Sequence, residues 1–94
     1  MSAGDIMQGR RVYPDAEGKL PVLEPGDYGK SGEQWFWRVP RARVPSGPSS
    51  HSITEHEDGT ITVAGSIGHG PGGVSGTSGY TWHGMLERGV WREV

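Results

Sequence analysis

Alternation of apolar and polar positions is the main regularity in this chain. In Glu33-Gln34-Trp35-Phe36-Trp37-Arg38-Val39 a period of two puts Trp35, Trp37 and Val39 on one face, and Pro40 ends the run. From His51 to Ile67 the pattern fixes a register. A three-residue hairpin loop, Glu57-Asp58-Gly59, with glycine in the left-handed position sets Ile53 opposite Val63 and Glu55 opposite Ile61. Ile53, Ile61 and Val63 then share a face, whereas a two-residue loop would separate Ile53 from Val63. The same device applied to residues 82–94 makes Glu87-Arg88-Gly89 the loop. It pairs Leu86 with Val90, Met85 with Trp91 and His83 with Glu93, giving a hairpin apolar on both faces. Such a ribbon is either central in a sheet or half of an interface.

Helical patterning is missing, because Gly or Pro interrupts nearly every window of ten residues. The expected fold is all-β: a small, loop-rich antiparallel sheet, sandwich or barrel-like domain of five to seven short strands. Residues 1–25 read as an N-terminal arm or edge segment, with short strands possible at Arg11-Val12-Tyr13 and Leu20-Pro21-Val22-Leu23. Residues 26–94 read as a single β domain with a Gly-rich loop at 65–79.

Composition narrows the class. With 94 residues and 32% hydrophobic positions the chain is one small domain, and no apolar run is long enough to span a membrane as a helix. Seventeen glycines and seven prolines point to loops, while four tryptophans argue against disorder. The net charge of −2 gives no global signal for nucleic acid. There is no cysteine and no apolar signal segment, so the cytoplasm is the expected compartment (the host's, for a phage product). No cofactor is expected.

Candidate chemistry is sparse. Gly68, Gly70 and Gly73 spell a G-x-G-x-x-G, but Pro71 and the Ser- and Gly-rich residues 74–79 offer no helix to receive a pyrophosphate. A looser loop of backbone N–H groups, with Gly68, His69, Gly70, Gly73 and His83, remains as a candidate site for a phosphate-bearing small molecule or nucleotide. The four histidines lack metal-ligand spacing, and no G-x-S-x-G elbow is present, so the chain does not read as an enzyme. The run WFWRVPRAR interleaves aromatics with arginines, residue types enriched at protein–protein contacts. Trp35, Trp37, Arg38, Arg41, Trp82 and Trp91 are the candidate protein-binding residues. The expectation is that so small a core leaves aromatic surface exposed.

The strings HSITEHEDGTITVAGSI (51–67) and YTWHGMLERGVWREV (80–94) resemble the ends of small proteins encoded by bacteriophages of actinobacteria. Those proteins are similar to a wider domain family of unassigned function whose Cys and His residues suggest a zinc-ribbon-like element; this chain has no cysteine to supply one. The resemblance implies a phage origin and a small β-rich domain. The expected function is that of a non-catalytic accessory protein that binds a host or phage protein, as a homo-oligomer. The alternatives are sequestration of a phosphate-bearing ligand and service as a virion decoration or tail-associated subunit.

Overall fold

The computed structural model describes residues 6–69 and 82–94, and in them the chain is all-β. Nine short strands are present: β1 (Ile6–Gln8), β2 (Arg10–Val12), β3 (Asp27–Ser31), β4 (Gln34–Trp37), β5 (Ile53–Glu55), β6 (Ile61–Val63), β7 (Ile67–His69), β8 (Trp82–Glu87) and β9 (Val90–Glu93). They form a four-stranded sheet ordered β1-β9-β8-β7, a three-stranded sheet β2-β3-β4 and the hairpin β5-β6. The strands outnumber the five to seven expected, no barrel closes, and β2 runs parallel to β3. No helix among the described residues is long and apolar enough to cross a membrane.

The β5–β6 register is the predicted one, with Ile53 opposite Val63, Thr54 opposite Thr62 and Glu55 opposite Ile61. Gly59 sits at φ +87°, and His56 N–H donates to the Thr60 carbonyl across the loop. The Asp58 carboxylate accepts both the N–H and the hydroxyl of Thr60, at 3.0 and 2.6 Å, which fixes the turn. Those bonds hold the Asp58 pKa below its usual value.

The second hairpin differs from its predicted register by one residue. Leu86 faces Trp91, Met85 faces Arg92 and Gly84 faces Glu93. The loop is the two-residue Arg88-Gly89, both at positive φ (+46° and +78°), the geometry of a type I′ turn. Burial decides the register. It puts Trp82, Leu86 and Trp91 on the core side, with Gly84 between them, and turns Met85 and Val90 outward. Gly84 must lack a Cβ, which would come within 2.5 Å of the Trp82 ring.

Trp35, Trp37 and Val39 share the buried face, as their alternation predicts. Together with Tyr28, Ala42, Ile61, Val63, Ile67, Trp82, Leu86 and Trp91 they make one core cluster, with Ile53 packed against it. Residues 6–12 of the N-terminal segment supply the terminal strands of two sheets. β1 pairs with β9, and β2 pairs with β3. The switch occurs at Gly9, where an added Cβ would lie 2.9 Å from the Trp91 indole nitrogen and 2.6 Å from the Gly89 carbonyl. Leu20–Leu23 forms no strand, although Leu23 is buried. Within the predicted Gly-rich loop, Ile67–His69 is a strand, and residues 70–79 lie outside the described residues.

Candidate functional site

The four indoles expected at a contact surface are core instead. Trp35, Trp37, Trp82 and Trp91 retain 9%, 2%, 3% and 1% of their accessible surface. Three of them fill the interior by packing edge to face. The Trp91 ring meets Trp82 at 5.5 Å between centroids and Trp37 at 6.5 Å, both nearly perpendicular. A partner cannot lie against rings so enclosed. Arg38 is also committed internally: its Nε donates to the Ala42 carbonyl and its Nη1 to the Leu23 carbonyl, at 2.8 and 2.9 Å. It clasps the 39–42 turn to the loop preceding β3.

Arg41 is different. Its side chain is half exposed, and its Nη2 donates to the Glu93 carboxylate at 2.7 Å. Its backbone occupies φ +67°, a conformation that costs a non-glycine residue of order 1 kcal/mol. The guanidinium stands at the rim of a depression of about 280 Å³ lined by Ile6, Met7, Pro40, Arg41, Trp82, Trp91 and Glu93. Three of the six predicted contact residues thus converge here, two as floor and one as rim. Ile6 and Met7, the most exposed apolar members (65% and 39%), belong to the terminal strand of the four-stranded sheet. Nothing in the sequence around Ile6-Met7-Gln8 marks it as a strand, so periodicity could not have found this edge.

The alternative ligand loop is divided by the fold. Gly68 lies opposite His83 in the β7–β8 ladder and His69 opposite Trp82. By strand alternation His69 turns inward. It is buried, its Nδ1 is 3.0 Å from Ser46 Oγ, and burial pushes its pKa below the ordinary value. Gly70 and Gly73 lie outside the described residues. The expected His83–Glu93 cross-strand pair is replaced: Glu93 takes Arg41, and His83 accepts the Val94 N–H at its carbonyl.

A smaller recess of about 160 Å³ is bounded by Trp37, residues 46–51 and Ile67. Here His51 Nε2 is 3.2 Å from the Ser66 carbonyl, which only accepts, so Nε2 carries the proton of that bond. Nδ1 then faces Ser49 Oγ at 3.3 Å, while the same oxygen accepts the His51 N–H. This is a local turn closed by its own side chains rather than a nucleophile freed for attack. Elsewhere, Arg11 lies between the Tyr13 and Trp35 rings, 4.6 and 4.9 Å from their centroids, and donates to Glu55 and to the Gly59 carbonyl. Among the described residues no group of three or more His, Asp or Glu side chains is placed to hold a metal ion.

Comparison of the chain with protein-family models, with curated proteins and with solved structures finds no match.

Proposed function

We propose that this chain is a small non-catalytic binding domain that acts by docking on another protein, with the Arg41 depression and the neighbouring β1 edge as its contact surface. The observation that carries the reading is Arg41 itself. An exposed guanidinium is held in an unfavourable backbone conformation beside an apolar hollow and two exposed apolar residues. Strain of this kind persists where the surroundings over-determine it, and it collects at ligand clamps. The resemblance of residues 51–67 and 80–94 to phage proteins supports an accessory role in a phage. The outward sheet face, with Ile6 exposed and Met85 and Val90 half-buried, supports self-association as part of the same reading.

The test is co-purification from phage-infected host cells, with tagged wild type beside Arg41→Glu and Met7→Asp variants. Both variants are expected to lose a partner that the wild type retains in stoichiometric amount. Equal retention by all three would overturn the reading. Native mass spectrometry of the same samples reports the subunit count, and stoichiometric presence in purified particles would move the protein to the virion.

A further inference from the structure

We infer that the β1 edge is a strand-addition site for an extended peptide segment carrying an apolar side chain and, two residues on and so on the same face, a carboxylate. The inference rests on the docking surface proposed above and names the chemistry of what it takes.

The ladder geometry supplies the backbone half of the site. Gly9 N–H donates to the carbonyl of Gly89, directly opposite it, at 2.7 Å. In an antiparallel pair, hydrogen-bonded and non-hydrogen-bonded positions alternate. With Ile6 opposite Arg92, Met7 opposite Trp91 and Gln8 opposite Val90, the bonded position is therefore Met7. The N–H and C=O groups of Ile6 and Gln8 point the other way, off an edge that no strand among the described residues covers. β1 is terminal in the strand order, and its three residues are exposed and uncharged. Of the devices that blunt an edge, Ile6–Gln8 has the short length but no lysine or proline. Two outward pairs of groups two residues apart match the bonding repeat of a short added strand.

The side-chain half is the 280 Å³ hollow beside the same edge, roomy enough for one leucine- or phenylalanine-sized group against Ile6 and Met7. Arg41 then selects charge. Glu93 takes one N–H of its Nη2, and its Nε and Nη1 have no protein partner among the described residues. A guanidinium with donors remaining favours a carboxylate. The opposing charge near the hollow is Glu93, already paired with Arg41, while Arg92 lies on the outer face with Ile6. An apolar residue with an acidic residue two positions along the strand satisfies both halves at once. A basic residue there would meet Arg41 unfavourably.

The experiment uses the full chain, isotopically labelled, titrated with acetylated pentapeptides. Each is amidated and has leucine at the centre of an otherwise threonine sequence, with either aspartate or lysine two positions after it. Amide resonances of Ile6 and Gln8 are expected to shift with the aspartate peptide. Its dissociation constant is expected to be at least tenfold lower than that of the lysine peptide. Arg41→Gln should erase that preference, and Gln8→Pro, which deletes an outward N–H, should weaken both peptides tenfold or more. Near-ultraviolet tryptophan signals check that each variant is folded. No shift at Ile6 or Gln8 with either peptide overturns the proposal. So does an equal response to the two, or intermolecular main-chain contacts of Ile6 and Gln8 between copies without peptide, which would give the edge to a second copy of the chain. Any of these leaves the broader docking reading standing if the co-purified partner is still lost with Arg41→Glu, so the two failures are separable.

Discussion

The indole N–H of Trp91 donates to the carbonyl of Gly26 at 2.8 Å, joining residues 65 positions apart. Trp91 belongs to the four-stranded sheet, and Gly26 lies in the turn leading into β3 of the three-stranded one, so this bond fastens the two together. Trp91→Phe removes it along with ring volume. Gly26 keeps the Arg10 N–H at 3.2 Å, so its carbonyl is not orphaned. The bond contributes about 1 kcal/mol and the lost packing a similar amount, for a total near 2 kcal/mol. Urea denaturation should show a lower midpoint with an unchanged slope.

The second hairpin turn makes opposite predictions at adjacent residues. Arg88 carries a side chain at φ +46°, where asparagine is better tolerated, and Arg88→Asn should stabilise by about 0.5–1 kcal/mol. Gly89→Ala should destabilise by about 2 kcal/mol or more, because its φ is +78° and its Cβ would stand 2.7 Å from the Tyr28 hydroxyl. Thermal melts of the two variants should move in opposite directions.

His69 sets a pH dependence. Its folded-state pKa lies below the unfolded value of about 6.5. Between the two the unfolded chain binds more protons, so stability is full above about pH 6.5 and declines as pH falls through that window. His69→Asn, which keeps a partner for Ser46, should flatten the stability profile between about pH 7 and 5. Asp58, lowered by its Thr60 bonds, acts in a separate and more acidic range below about pH 4. Denaturation midpoints measured across pH separate the two.

Arg11→Lys tests the junction between β2 and the β5–β6 loop. Lysine keeps the charge for Glu55. It loses the guanidinium's contact with the faces of Tyr13 and Trp35 and the second hydrogen bond to Gly59. A loss of about 1–2 kcal/mol is expected, with faster amide exchange at residues 57–60. An unchanged midpoint would assign the Arg11 contact to charge alone.

Legibility of the fold depends on whether one face of a segment is plainly apolar. In β5–β6 only one register buries Ile53 with Val63, and an aspartate in the loop closes the turn, so the register can be read directly. In β8–β9 both faces carry large apolar groups, and Arg88 at a left-handed position gives no cue to a two-residue loop, hence the one-residue difference. β3 escapes a local reading because Asp27-Tyr28-Gly29-Lys30-Ser31 has a single apolar residue. It is a strand because β2 and β4 pair on either side of it, a relation between distant segments. The candidate site divides in the same way. Arg41 stands out in the sequence as an arginine in an aromatic and proline-rich run, and it lies at the rim of the hollow. The indoles are misplaced when their number is weighed against core size without the edge-to-face stacking that lets Trp37, Trp82 and Trp91 share one interior. Ile6 and Met7 carry no local signal at all, since their role comes from being last in a sheet whose order no short pattern encodes.

The pairing of β1 with β9 has a temporal consequence. Residues 6–8 leave the ribosome early, yet the strand they bond to, and the ring that closes the middle of the interior, arrive only with residues 90–93. Until then the nascent chain can close its local hairpin at 53–63 but not its main sheet. Final folding therefore waits on release of the distal strand, and in that interval both edges of residues 6–8 are presented to whatever else the cell holds.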